Sequence, residues 1–190
     1  GVAQTAPMKI LIAGASRGPG LALVRASLEA GHTIVASERT GTPELHQLET
    51  THTRALSIVT FDITDEAAIA RAAASLRGEE PITHIVNNAG LLLGRGDTAT
   101  GIDRDELMRS LEVQAAGPAL VVKHFLPLLD SNASGGIRIV NVSSESGSMT
   151  KVSRQDYAYS ISKCALNMYT AMLQIDLAPR NIRAVAIHPG

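Results

Sequence analysis

A single cysteine, Cys164, stands among 190 residues. No disulfide can form within such a chain, which fits a reducing compartment. There is no basic excess either: 17 Lys and Arg face 18 Asp and Glu, for a net charge of −1. Without a cationic surplus to neutralise phosphates, nucleic acid is excluded as the main partner. No apolar run approaches the ~20 residues of a membrane span. The start lacks the basic segment and apolar core of a secretory signal, and residues 1–7 read as a leader ahead of Met8. The six histidines show no metal-ligand spacing such as HExxH, and no metal is expected. Internal repeats, low-complexity tracts and linker-like boundaries are absent from the sequence. Charged residues make up 18%, below the usual ~25%, which suits a well-buried fold and argues against disorder. At ~150 residues per domain, residues 8–190 form one domain.

What is present is an alternation. Short apolar runs at residues 9–13, 32–36, 54–60, 81–86, 137–142 and 182–187 read as strands. Helix-forming stretches lie between them at 21–30, 43–49, 66–77, 103–129 and 155–177. Asp65 is placed to cap one of these, and Gly31, Gly78 and Pro179 to end others. Within 103–129, the pair Gly117-Pro118 predicts a disturbance. Residues 91–101, 131–136 and 145–154 read as loops. Strands apolar on both faces, joined by helical crossovers, predict an α/β fold with a doubly wound parallel sheet, helices on both faces and right-handed connections.

The first strand runs into Gly14-Ala-Ser-Arg-Gly18-Pro-Gly20, a GxxxGxG pattern that opens the first helix. Glycines at such a turn let the backbone bend sharply and approach a pyrophosphate, while the helix start offers N–H donors and the positive end of its dipole. Glycine turns are common, but this one lies between a strand and a helix near the N-terminus, which points to a dinucleotide. Pro19 suits a first helical turn and removes one phosphate donor. Arg17 within the turn and Arg39 after the second strand suit a 2′-phosphate. Glu38, beside Arg39, suits free ribose hydroxyls instead. The balance favours NADP(H), with NAD(H) as the alternative.

The glycine turn, the Asn87-Asn88-Ala89-Gly90 segment, the pair Tyr159 and Lys163 and the closing Pro189-Gly190 together resemble the short-chain dehydrogenase/reductase family, from Met8 to Gly190. The stretch from Tyr157 to Met168 is similar to the C-factor-like and sniffer-like carbonyl reductase branch. The resemblance implies a Rossmann-type sheet of order 3-2-1-4-5-6-7 and a nicotinamide cofactor. It puts Gly14, Ser16, Arg17, Gly18 and Gly20 on the phosphates and ribose, and Asp62 and Ile63 on the adenine. Asn88, Ala89 and Gly90 would line the cofactor, with Pro189 and Gly190 completing the set. It further implies a cytoplasmic homodimer or homotetramer. Family members continue past the Pro-Gly pair with a substrate-covering segment and a seventh strand, so the chain reads as lacking its C-terminal substrate segment.

Tyr159 and Lys163 are four apart on a predicted helix and share a face. A phenol titrating near ~10 is a poor acid–base group at neutral pH, and a lysine cation alongside stabilises its phenolate. Tyr157 has Ile161 four residues on, which leaves Tyr159 as the acid–base residue. The resemblance matches Ser144, the second serine of Asn141-Val-Ser-Ser144, to the residue that holds the substrate carbonyl. It gives Lys163 a further hold on the nicotinamide ribose. The family carries an asparagine in the helix after the fourth strand, holding a water that links the lysine to solvent; this chain has Gln114 there, its amide displaced by one methylene. The expected activity is hydride transfer between nicotinamide and the carbonyl or alcohol carbon of a small molecule. Two readings stand beside it: a nucleotide-binding regulatory or signalling protein with a vestigial site, and a sugar-nucleotide epimerase or dehydratase, whose glycines would be spaced GxxGxxG.

Overall fold

Side chains that alternate between two apolar faces force a strand into the middle of a layered structure. In the computed structural model, which describes residues 6–130, 136–152 and 156–189, β1 (Lys9–Ala13) is buried along its whole length. Leu11 joins Val35, Ile85 and Ile139 in a core shared with Ile69, Val121, Phe125 and Leu173. Ile10 and Ile12 face the other way, with Ile34 and Ala36, toward Val24 and Leu45. Burying one such aliphatic side chain contributes roughly 1.5–3 kcal/mol, so the two faces together supply most of the driving force.

The sheet has six parallel strands in the order β3-β2-β1-β4-β5-β6. These are β1, β2 (Thr33–Glu38), β3 (Leu56–Thr60), β4 (His84–Asn87), β5 (Gly136–Val142) and β6 (Ile182–Ile187). Helices α1 (Gly18–Glu29) and α2 (Pro43–Thr51) cover one face, since they carry Val24 and Leu45. The other face receives α3 (Glu66–Ser75), α5 (Gly117–Phe125) and α6 (Tyr157–Leu177), which carry Ile69, Phe125 and Leu173. The order reverses between β1 and β4, and a crevice opens there at the carboxyl ends of the strands. No helix among the described residues is long and apolar enough to cross a membrane.

The predicted elements are all present, with three differences that bear on the site. Helix α1 starts at Gly18, three residues early, so Gly18-Pro19-Gly20 forms its first turn; a proline without N–H is at home there. Strand β2 runs on to Glu38, which makes that carboxylate the last strand residue. The long helix predicted over 103–129 is broken. It consists of α4 (Arg104–Leu111), a π-helical turn over Glu112–Ala116, α5 and a 3-10 turn over Leu126–Leu128. The disturbance falls one turn before Gly117-Pro118, because the missing Pro118 N–H cannot return to the Gln114 carbonyl. The bulge absorbs the mismatch, with the Gly117 N–H reaching back five residues to the Glu112 carbonyl. Asp65 caps α3 as expected, its carboxylate accepting from the Ala68 N–H at 3.0 Å. Residues 1–5 of the leader, 131–135 and 153–154 of the two loops, Gln155 of the last predicted helix and Gly190 lie outside the described residues.

Candidate active site

A cleft of about 820 Å³ lies across the ends of β1, β2, β4 and β5. Gly14, Ser16, Arg17 and Gly18 line one wall of it. Gly14 adopts φ +82°, and a Cβ on it would sit 2.6 Å from the Ala89 Cα. A Cβ on Gly20, just behind that wall, would overlap the Gly14 carbonyl oxygen. The turn is fastened on both sides: the Gly14 N–H donates to Ser37 Oγ at 3.0 Å, and Asn88 Nδ2 donates to the Gly14 carbonyl at 2.8 Å. No side chain caps α1 and no carboxylate stands in its first turn. An incoming phosphate would therefore meet N–H donors and the positive dipole end unopposed. The cradle fits a dinucleotide.

At the far end stand Glu38, Arg39, Asp62 and Ile63. Asp62 Oδ1 accepts from the Thr64 N–H at 2.9 Å and the Thr64 hydroxyl at 2.8 Å. Its Oδ2 lies 3.9 Å from Arg109 and 4.0 Å from Arg39. Partial burial pushes this carboxyl up, but the Thr64 hydrogen bonds and then the two guanidinium charges outweigh it, and it ionises below the ordinary carboxylate range. Asp62 thus shapes its own turn with one oxygen and steadies Arg39 with the other. Glu38 is tied to α2: Oε1 lies 2.8 Å from His46 Nε2, and Oε2 accepts from the Thr42 N–H at 3.3 Å. Both oxygens that the NAD(H) alternative would spend on ribose hydroxyls are already engaged.

The inner end holds Tyr159 and Lys163 of α6, with Asn88, Ala89 and Gly90 after β4 and Pro189 after β6. Lys163 is 4% exposed. Its Nζ donates to the Val142 carbonyl at 2.8 Å and lies 5.7 Å from the centre of the Tyr159 ring. Burial pushes the ammonium down to about 8. Of the two serines ending β5, Ser143 lines the cleft, but its hydroxyl donates to Asn167 Oδ1 at 2.6 Å. Ser144 stands just beyond the lining and caps a 3-10 turn over Glu145–Gly147, its Oγ accepting from the Ser146 N–H at 3.2 Å. What Ser144 has to offer a ligand is its hydroxyl hydrogen, as a carbonyl oxygen would require.

Over residues 8–190 the sequence matches the family model described as short chain dehydrogenase. The chain belongs to the short-chain dehydrogenase family. Among solved structures, the chain is similar to the carbonyl reductase Sniffer of Drosophila melanogaster, with TM-score 0.89 and 30% identity over 97% of this chain and 81% of that one. It is equally similar in sequence to the NADPH-bound carbonyl reductase from chicken fatty liver, with TM-score 0.87 and 30% identity over 98% and 80% of the two chains. C-signal of Myxococcus xanthus is 34% identical over 114 residues, covering 58% of this chain and 65% of that protein. These matches support the carbonyl reductase-like branch within the family. The chain spans only 28% and 63% of the length of two other curated relatives that it matches.

Gln114 stands where the resemblance led to an asparagine. The π-helical turn carries it inward, and it is 1% exposed. Its Nε2 donates to Ser162 Oγ at 2.8 Å, and Ser162 in turn donates to the Tyr159 carbonyl at 2.7 Å. Oε1 is buried without a hydrogen-bond partner. It faces the space beside Gly90, where a Cβ would lie 3.3 Å from Oε1 and 3.8 Å from Lys163 Nζ. The longer side chain has therefore tied its amide nitrogen to α6 and left its oxygen on the lysine side.

Sequence reasoning missed the tertiary contacts that hold the machinery. Asn87 Nδ2 donates to Asn141 Oδ1 at 2.8 Å, and Asn141 Nδ2 donates to Thr170 Oγ1 at 2.8 Å, so a side-chain relay ties β4 through β5 to α6. Asn167 grips both ends of the Ser144 loop: it accepts from Ser143, and its Nδ2 donates to the Gly147 carbonyl at 3.1 Å. Gly147 lies so close to α6 that a Cβ would come within 2.7 Å of the Lys163 carbonyl carbon. Asn167→Ala is expected to lower kcat by about ten- to hundred-fold by letting Ser144 drift, with nucleotide affinity unchanged. Steady-state kinetics together with a nucleotide titration check this; equal losses in both would show that the loop does not act on chemistry.

Proposed function

We propose that the chain carries the cofactor-binding and catalytic part of an NADP(H)-preferring carbonyl reductase or alcohol dehydrogenase acting on a small molecule. The observation that carries the reading is the cleft itself, with an open glycine cradle at one end and Lys163 beside Tyr159 at the other. When bound, the nicotinamide supplies the hydride that goes to the carbonyl carbon. Gly14, Ser16, Arg17 and Gly18 would hold the phosphates and their ribose, with Gly20 behind them giving the turn its room; Asp62 and Ile63 would flank the adenine, and Asn88, Ala89, Gly90 and Pro189 would border the rest.

The remaining chemistry belongs to the protein. Ser144 donates its hydroxyl hydrogen to the carbonyl oxygen and fixes the carbonyl against the hydride. Tyr159 gives its phenolic proton to that oxygen as negative charge develops, completing the alcohol. Lys163 stays mostly protonated at pH 7, with its ammonium at about 8, and stabilises the phenolate that remains. It would also hold the nicotinamide ribose, and from beside the Tyr159 ring it can return a proton to the phenolate.

Preference for NADP(H) is supported by Arg17 and Arg39 on the cleft wall, by the withdrawal of Glu38, and by the NADPH-bound chicken neighbour. Titrating NADPH and NADH into the protein tests it: NADPH is expected to bind more tightly, and tighter NADH binding would return the ribose to Glu38. Homodimeric or homotetrameric assembly is supported by the exposed apolar side chains of Met108 on α4 and of Ile161, Met168, Met172 and Ile175 on α6. A cytoplasmic location is supported by the single cysteine.

A further inference from the structure

Glu38 and Arg39 ask for opposite ligands, yet they are neighbours at the end of one strand. A carboxylate there accepts hydrogen bonds from a free 2′-hydroxyl and repels a 2′-phosphate, while a guanidinium attracts the phosphate. The conflict is resolved one element away, on α2. Glu38 is only 4% exposed although it borders the cleft. His46, in the first turn of α2, lies with Nε2 at 2.8 Å from its Oε1. The Thr42 N–H holds Oε2 at 3.3 Å.

The surroundings are shaped for this contact. A Cβ on Gly41 would stand 3.1 Å from His46 Nε2 and 3.8 Å from Glu38 Oε1, so glycine gives the imidazole room to close on the carboxylate. Thr42 Oγ1 donates to the Ser16 carbonyl at 3.1 Å, which fastens the start of α2 to the glycine turn. On its far side, His46 Nδ1 lies 3.7 Å from the Glu49 carboxylate. Glu38 is thus held by His46 and the start of α2, while the ion-pair neighbour of Arg39 is Asp62.

We propose that His46 is a specificity-determining residue that acts through Glu38: it withdraws the carboxylate from the adenosine end of the cleft and leaves Arg17 and Arg39 to meet a 2′-phosphate. His46 is a positioning residue here and touches no ligand. The proposal rests on the reading of this cleft as an NADP(H) site. Freed from His46, a carboxylate this buried must find new donors or water, and the cleft it already borders is the open direction. There it would repel a 2′-phosphate and favour the ribose hydroxyl.

Adenosine 2′,5′-bisphosphate and adenosine 5′-monophosphate probe this end alone and differ only in the 2′-phosphate. Calorimetric titration of both is made on the full chain and on His46→Leu, Glu38→Gln and the double variant, with a thermal melt of each to confirm folding. The wild type is expected to prefer the bisphosphate, and His46→Leu to cut that preference about tenfold, a ratio that a general loosening of the fold would not move. Glu38→Gln keeps the preference, and in that background His46→Leu has no further effect. A preference that survives His46→Leu, or that falls equally with Gln at position 38, overturns the proposal while leaving the NADP(H) reading in place. A wild type that does not prefer the bisphosphate removes the NADP(H) reading, and the proposal falls with it.

Discussion

Phenylalanine at position 159 is expected to stop turnover and leave the nucleotide where it was. The substitution removes one hydroxyl and keeps the ring whose centre lies 5.7 Å from Lys163 Nζ, so α6 and the cleft floor should not move. What disappears is the proton donor. A positioned acid–base group contributes about 10²–10⁴ in rate, and kcat should fall by that factor with NADPH affinity unchanged. The informative control is two residues away. Tyr157 opens α6, is 36% exposed and has no lysine one turn on, so Tyr157→Phe should behave as wild type. Measured on the full-length protein with an aldehyde or ketone panel, equal losses at 157 and 159 would mean that the tyrosine acts through the fold. Full activity in Tyr159→Phe would remove the acid–base assignment.

That contrast was legible in the sequence because it rests on a local rule, the four-residue spacing that puts two side chains on one helical face. The sheet was legible for a similar reason: residues such as Leu11 and Ile12 are buried on opposite faces, and only a strand covered on both sides tolerates that. Helix and strand ends were read less well where the turn chemistry competes. Gly18 and Gly20 look like breakers in isolation, but here they form the first turn of α1: a Cβ on Gly20 would overlap the Gly14 carbonyl, and Gly18 sits at φ +53°, where a side chain is strained. The π-helical turn over Glu112–Ala116 had a visible cause in Pro118, but its placement one turn earlier depends on where the mismatch can be absorbed. Least legible were the partners that fix the site. Asn167 is 24 residues from Ser143 in sequence, and Asn141 is 54 from Asn87. His46 lies eight residues from Glu38 across a strand–helix junction. No periodicity connects such pairs, because the fold brings them together and the sequence spacing does not. The conflict between Glu38 and Arg39 was therefore visible as a conflict, while its resolution was a tertiary fact.

Lys163→Met is expected to make the nucleotide-free protein more stable at pH 7 while abolishing its activity. The ammonium is buried, and burial alone pushes it from 10.5 down to about 8. Holding a charge in that environment costs the folded state about 3 kcal/mol at neutral pH. Methionine removes the charge at similar length; it also forfeits the hydrogen bond to the Val142 carbonyl, a loss of about 1 kcal/mol. The net gain is about 2 kcal/mol in urea unfolding at pH 7. The pH dependence supplies the sign test. Below about 8 the lysine is protonated in both the folded and the unfolded chain, and the wild-type deficit is complete. Between about 8 and 10.5 the folded chain has released the proton while the unfolded chain still holds it. Wild-type stability therefore rises with pH relative to the variant across that window. Above 10.5 both are neutral, the burial cost is gone, and wild type should match or exceed the variant by the retained hydrogen bond. Comparing the two proteins at each pH cancels the other titrating groups. A wild type already as stable as Lys163→Met at pH 7, or a gap that widens as pH rises, would show that the ammonium is not penalised by its surroundings. The expected outcome ties stability to chemistry: the burial that makes this lysine costly is what brings its titration near neutrality, where it can both hold charge beside the Tyr159 phenolate and pass a proton to it.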